Sequence, residues 1–425
     1  MTLLIVSLVI LLVLGVPIAY SLGLSSFLYF VVHHPELISV IPQRFYAGMD
    51  AYLMIALPLF IAMGCLMNES GITRRLINFS LLFVGRCRGG LGLVNIVASM
   101  IFGGISGSSV SDTASVGAVL IPEMEEKGYS KEYSSGITVA SSTMGMIIPP
   151  SIPVVIYALV AEASVGKLFL GTAIPGIMIG LLMIIITLII SHVKKHPKEE
   201  VNLSKKEIFI TVQRSILAVI MPLFIIGAVV FGITTATESA AIGVLYALII
   251  GTAVFRTVGL KSILRLMRKA ILTSATVMII IALSKIYIWI LALEHVPQTV
   301  AAFITGLDVP VFLIIIFVDL IILFIGTFID VSPAILLLTP VFLPAMQSLG
   351  VDAIQFGAIL ISGLALGLVT PPVGMCLNVA SAISGLGIGK IFKGALPFLL
   401  ANIITLILIS FVKPFTLWLP ELFMK

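Results

Sequence analysis

Two adjacent prolines occur twice in this chain, in "MIIPPSIP" at 146–153 and in "LVTPPVGM" at 368–375, and each pair sits inside a long apolar run. A proline removes a backbone donor and its ring clashes with the preceding turn. The residue before it is pushed out of the α region. A straight helix therefore passes through neither pair. Non-helical backbone at membrane depth persists only where protein buries it or water reaches it. Any fold of this chain must bring polar partners to both breaks.

The apolar runs are membrane segments. The chain is 60% hydrophobic and 10% charged, with mean hydropathy +1.25, whereas a soluble protein carries roughly 25% charged residues. A helical span needs about 20 apolar residues, and an all-α polytopic membrane protein follows. The segments are 2–14, 17–32, 51–68, 91–126, 130–160, 167–193, 215–233, 238–256, 270–293, 309–349, 352–384 and 395–418. Segment 2–32 has no basic leader and no small-residue cleavage motif, so it reads as one or two helices rather than a cleaved signal. Cys65, Cys87 and Cys376 show no paired spacing, hence no disulfide framework and no transition-metal motif.

The net charge of +5 reflects loops between spans and does not suggest nucleic acid. Cytoplasmic loops concentrate Lys and Arg. The polar linker 194–214 holds six of them, 256–269 five, 74–88 four, and 127–131 and 390–393 two each. All these loops share one side if 91–126 and 309–349 enter and return as hairpins instead of crossing. Ten crossings, two re-entrant hairpins and both termini outside are expected. Trp289 and Trp418 then fall near the outer interface, where indoles are favoured.

A repeat underlies this arrangement. Setting each residue against the one 222 positions later matches Gly104, Pro122, Gly128, Gly145, Pro149 and Pro150 to Gly326, Pro344, Gly350, Gly367, Pro371 and Pro372. Val119, Met124, Ile137 and Ala158 match as well, without a gap. Apolar identities arise by chance in an oily chain; six Gly and Pro identities do not. The charge count makes the two copies inverted, and inverted repeats with broken helices are the architecture of secondary transporters, with the site at the midplane.

Each hairpin has a polar tip, "FGGISGSSVSDTAS" at 102–115 and "FIGTFIDVSPA" at 324–334. Hydroxyls and freed carbonyls are hard oxygen ligands for a small cation, while returning half-helices offer free N–H groups and positive dipole ends to an anion. Small residues could instead serve close helix packing. Asp112, Glu162, Glu238, Asp319, Asp330 and Lys285 lie in or near apolar segments, where charge is costly and usually paired or functional. Asp330 is the best ion or proton group. Asp112 either does the same or caps the returning half-helix, Glu238 fits a cap at the outer surface, and Lys285 and Asp319 could pair with each other or with another subunit. "GISG" at 104–107 also fits an intramembrane serine protease, but that chemistry needs a histidine near Ser106. The five histidines lie in loops or at span ends, so no catalytic residues are assigned. No Walker A motif is present, so this chain does not use ATP.

The strings "GGISGSSVSDTASVGAVLIPEMEEKGY", "MGMIIPPSIPVVIYA", "TESAAIGVLYAL" and "LGLVTPPVGMCLNVASAISG" together resemble the large membrane subunit of TRAP transporters, the DctM-type permease of the ion transporter superfamily. The resemblance runs along essentially the whole chain. It implies Na⁺-driven uptake of an organic acid across a bacterial inner membrane; it does not fix the substrate, and between sialic acid and a C4-dicarboxylate the reading leans to sialic acid without a residue that decides it. It also implies a small four-helix membrane subunit, an extracytoplasmic substrate-binding protein and an elevator motion, with no cofactor beyond Na⁺ as coupling ion. The family often has neutral residues at Asp112 and Asp319, so these positions mark a subgroup. No small subunit is fused before the first segment, so that partner is expected as a separate chain. A stand-alone Na⁺ or H⁺ carboxylate symporter stays open.

The expected division is scaffold at 1–90, transport half one at 91–166 (hairpin 91–126, broken helix 130–160), scaffold at 167–293, transport half two at 294–394 (hairpin 309–349, broken helix 352–384) and a C-terminal helix at 395–425. Two Na⁺ sites are expected, each shared between a tip and a break. Ser106 and Ser108 would face Gly145, Ile148 and Pro149, and Gly326, Thr327 and Asp330 would face Gly367 and Thr370. The anion would bind between them at Ser108, Ser109, Pro150, Ser332 and Pro372.

Overall fold

The computed structural model describes residues 1–198, 205–306 and 309–424. Among these, regular structure is helical apart from one antiparallel bridge between Arg88 and Lys198. The chain opens with α1 (Thr2–Val13), α2 (Ile18–His33), α3 (Val40–Met49) and α4 (Leu53–Glu69), followed by α5 (Ile72–Val84). Then come α6 (Gly90–Ser106), α7 (Ser109–Glu126), α8 (Lys131–Ser142), the single turn α9 (Met144–Ile147) and α10 (Ile152–Ala161). Four long helices follow: α11 (Val165–Val193), α12 (Lys205–Val230), α13 (Ala236–Ile249) with a π turn at Ile250–Val254, and α14 (Leu260–Leu293). The remainder is α15 (Val296–Gly306), α16 (Val311–Phe328), α17 (Val331–Ser348), α18 (Ala353–Gly367), α19 (Met375–Ser384), α20 (Ile388–Phe411) and α21 (Pro414–Phe423).

Seven of these helices are long and apolar enough to cross a membrane, or nine if α3–α4 and α8–α10, bent by 52° and 41°, each count as one span. Element boundaries keep the spacing of the sequence repeat. Helix α7 at 109–126 answers to α17 at 331–348, and α8 starts at 131 where α18 starts at 353. Local chemistry sets these starts. The Ser108 hydroxyl accepts from Ser111 N at 3.5 Å, and Asp330 Oδ1 accepts from Val331 N at 2.8 Å. Both satisfy first-turn donors that the helix itself cannot.

One apolar core joins α4, α6 to α10 and α16 to α20. A second binds α1 and α2 to the far half of α14 through Leu4, Leu22, Tyr29, Phe30, Ile286 and Ile290. The outer faces stay apolar, as lipid requires. Leu181, Phe224, Leu245 and Phe317 are exposed.

Several sequence expectations change. Segment 2–32 is two helices, because Gly15 turns into the left-handed region at φ +79° and Pro17 restarts the chain. Residues 74–88, read as a loop, are largely α5, whose buried Ile72, Leu76, Ile77 and Ser80 form one helix face. The residues after Glu294 form α15, and segment 395–418 ends at Phe411 before a separate α21. Most of 256–269 is the beginning of α14. Trp418 lies on α21 and is exposed. Part of linker 194–214 and the terminal residue 425 fall outside the described residues. The described part is tied down, since Gly89 N donates to Pro197 O at 3.0 Å.

Lys198 and Glu36 are both exposed. A single cysteine at Lys198 is expected to react with an impermeant maleimide only from the cytoplasmic side, and one at Glu36 only from outside. Labelling of both from one side would overturn the hairpin reading of 91–126.

Candidate functional site

The first tip and the first break lie against each other. Helix α6 ends at Gly107, in the left-handed region at φ +61°, and Ser108 opens α7. Across from them α9 ends at Ile147, and Ser151 caps α10, its hydroxyl donating to Met146 O at 2.5 Å and accepting from Val154 N at 3.5 Å. A Cβ on Gly104 would stand 3.0 Å from Pro149 O, so tip and break meet backbone to backbone. Ser106, Gly145, Ile148, Pro149 and Pro150 are thereby brought together, with Ser108 and Ser109 at the turn. Both Pro–Pro peptide bonds are cis.

Asp112 anchors this junction. It is fully buried, and the Ser106 hydroxyl donates to its Oδ1. Its Oδ2 has no partner, and neither does the buried Ser109 hydroxyl. A Cβ on Gly145 would overlap that carboxylate. Asp112 thus does not cap the half-helix, whose N-cap is Ser108. It points an unpaired oxygen at the break, and glycine at 145 is what lets it do so.

The second junction repeats the arrangement with different groups. Gly326 on α16 and Gly367 on α18 touch through backbone, and a Cβ on Gly326 would lie 3.1 Å from Leu364 O. The Thr327 hydroxyl donates to Phe324 O and the Thr370 hydroxyl to Leu366 O, each at 2.7 Å. Both hydroxyl oxygens keep lone pairs for another partner. Asn378 Nδ2 donates to Val373 O at 2.9 Å, closing one carbonyl that the break frees. Asp330 is at the tip as the N-cap of α17, with Ser332 in its first turn, while Pro372 is exposed on the break.

The two junctions are interlocked. Helix α10, beyond the first break, packs along α17, and α19, beyond the second, packs along α7. Each broken helix thus runs from its own hairpin to the returning arm of the other.

A cavity of about 440 Å³ reaches the first tip from the side of α4 and α14. Ser106, Ser108, Ser111 and Ser115 line one wall and Asn68, Glu69, Lys269 and Thr273 the other. Asn68 Nδ2 donates to Ser115 Oγ at 2.8 Å across it, and Glu69 is paired with Arg265 at 2.7 Å. Lys269 is the cation facing the serines. Sequence reasoning missed this wall because it took 256–269 as a loop. The signal was there: Leu266, Lys269 and Thr273 fall at i, i+3 and i+7 of a helix.

The remaining charged residues separate. Asp319 accepts from Ser410 Oγ at 2.8 Å, and Lys285 lies against α3, so the two do not pair with each other. Glu238 forms a capping box with Thr235 at the start of α13, and Glu162 ends α10 at φ +51°. Among the described residues no cluster of His, Cys, Asp and Glu could hold a metal of that ligand type.

A helical membrane protein whose two interrupted helices close on two polar turns is a transporter by architecture. The YdaH transporter of Alcanivorax borkumensis shares the fold, with a TM-score of 0.60 over 88% of this chain and 87% of that one, at 14% identity. The family then follows from sequence. Residues 5–415 match the DctM component of the tripartite ATP-independent periplasmic transporters, and the chain belongs to that family. It is 35% identical to the sialic acid TRAP transporter large permease SiaM of Vibrio cholerae, with 96% of each chain covered. It is 33% identical to the C4-dicarboxylate large permease DctM of Pseudomonas aeruginosa, with 94% of each covered. The chain is thus a large permease component of a tripartite, ATP-independent system.

Inserting a methyl at Gly145 forces it onto Asp112, and overpacking of this kind costs roughly 1–3 kcal/mol. Gly145→Ala is expected to lower the melting temperature of the detergent-purified chain by several degrees. Asp112→Ala in the same chain is expected to restore most of the loss, because the methyl then occupies the vacated space. An unchanged melting temperature in Gly145→Ala would refute the close contact.

Proposed function

We propose that this chain is the permease of a Na⁺-coupled organic-acid uptake system in a bacterial inner membrane, working with a small four-helix subunit and an extracytoplasmic binding protein. The observation that carries the reading is the pair of tip–break junctions, which bring hard oxygen donors together. The first combines the break carbonyls of Gly145, Ile148 and Pro149 with Ser106, Ser108 and the unpaired Asp112 oxygen. The second combines those of Gly367 and Thr370 with Gly326, Thr327 and Asp330. One Na⁺ at each would lock a hairpin to a broken helix. That locking shapes the anion site at Ser108, Ser109, Pro150, Ser332 and Pro372, and so couples ion to substrate.

The substrate reading rests on relatives of two kinds, and sialic acid is preferred over a C4-dicarboxylate. The cavity of about 440 Å³ beside the first tip shares only Ser108 with that anion site; with Lys269 across from four serines, it suits a carboxylate bearing hydroxyls. For the cycle we infer an elevator, in which hairpins and broken helices, 91–166 and 294–394, slide against a scaffold formed by 1–90 and 167–293. Gly136 on α8 meets Gly394 on α20 through backbone. That contact supports moving α20 (Ile388–Phe411), which straddles the expected boundary at 394, together with the transport half.

Two measurements test the proposal in proteoliposomes holding the small subunit and a loaded binding protein. A K⁺ diffusion potential, negative inside, is expected to speed uptake, since about 2.3 kcal/mol per charge is available per 100 mV. No response to the potential would contradict net cation entry. Uptake that persists without the binding protein would favour a stand-alone symporter instead. Thr370→Val and Ser106→Ala are each expected to raise the Na⁺ concentration for half-maximal uptake several-fold, with expression unchanged. Na⁺ dependence like the parent's in both would reject the two-site assignment.

A further inference from the structure

Away from the transport pathway, a cavity of about 430 Å³ opens between the start of α5 and the start of α12. Three guanidinium groups line it: Arg74 and Arg75 on α5 and Arg214 on α12, with Asn78 and Thr211 beside them. Arg75 is held in place. It donates to Ser70 O and Gly71 O, both at 2.9 Å, and lies 3.6 Å over the Phe255 ring. Partial burial, with the like charge of Arg214 nearby, pushes its pKa down. Arg74 reaches only Glu123, at 3.4 Å, and remains largely exposed. Arg214 has no carboxylate partner among the described residues, and Glu69 is occupied by Arg265. Among the described residues, Glu123 is the carboxylate that pairs with one of these three guanidinium groups.

The backbone adds to the field. Helix α5 starts after Gly71, in the left-handed region at φ +71°, and no side chain caps it. Its first-turn N–H groups and positive dipole end lie at the cavity rim, an arrangement that favours anions. Apolar surface flanks the same rim. Phe209 and Ile210 are exposed on α12, and further along α5 the exposed Phe83 meets Phe79 edge to face at 4.8 Å. Guanidinium groups beside exposed aromatic and aliphatic side chains match the boundary between headgroups and acyl chains.

We propose that this cavity binds a phosphate-bearing anion, the headgroup of an anionic phospholipid, in the leaflet on the Lys- and Arg-rich side of the protein. Planar guanidinium forks hold phosphate oxygens in pairs. Arg75 is pre-positioned by its backbone bonds, while Arg74 and Arg214 close from either side. Helix α5 connects α4 to the first hairpin, and Arg74 touches Glu123 on that hairpin. A bound phosphate would draw Arg74 away from Glu123 and fasten α5 to the membrane surface.

The test uses the delipidated, purified chain in detergent. Native mass spectrometry is expected to show phosphatidylglycerol bound about tenfold tighter than phosphatidylcholine, since each basic residue near a membrane surface contributes a several-fold gain. Arg74→Gln with Arg214→Gln is expected to abolish the difference, and the corresponding double Lys variant to keep much of it. Arg75 is left intact so that the start of α5 stays in place, and the size-exclusion profile checks folding. Equal binding of the two lipids by the parent overturns the proposal, as does an unchanged preference in the double Gln variant. Thermal stabilisation by millimolar inorganic phosphate equal to that by phosphatidylglycerol would assign the cavity to a soluble anion and overturn the lipid assignment.

Discussion

Backbone carbonyls and amides that lose their helical partners cannot be left facing hydrocarbon, and the rest of this structure is organised around that constraint. Pro149–Pro150 and Pro371–Pro372 free such groups deep inside apolar helices. The fold answers with two polar turns, each pressed against a break so closely that only glycine fits, at Gly145 and at Gly326 with Gly367. What would be a defect in a straight helix becomes a cluster of oxygen atoms gathered against a polar turn.

The junctions are not independent. Because α10 lies along α17 and α19 along α7, a shift of one hairpin is transmitted to the other copy's broken helix. The second apolar core, formed by α1, α2 and the far half of α14, meets this interlocked unit along α17, where Leu337 and Val341 pack against it.

Buried carboxylates distinguish the two halves. Asp112 points an unpaired oxygen at the first break. Asp319 also keeps one oxygen unpaired, but beside Ser410 on α20, away from either tip. Gln355, which donates to Ile409 O and Ser410 O at 2.9 and 3.2 Å, shares that neighbourhood. The first half therefore places its buried carboxyl group at the junction itself, while the second has the more open Asp330 at its tip.

Much was legible in the sequence by itself. Hydropathy marked the apolar segments, the Pro–Pro pairs determined where two of them break, and Gly and Pro identities 222 residues apart matched tip to tip and break to break. These are local properties: a proline or a glycine restricts the backbone wherever it stands. The tertiary structure alone decided what depends on neighbours distant in sequence. It showed that α5 and α15 are helices because one face of each meets other elements, although their sequences read as connections. It placed Lys269 in the wall of the cavity instead of in a loop, and it separated Lys285 from Asp319. It also decided that Asp112 aims at Gly145, a contact between residues 33 positions apart whose geometry no spacing rule supplies, because it depends on how closely two backbones approach once the hairpin has folded onto the broken helix.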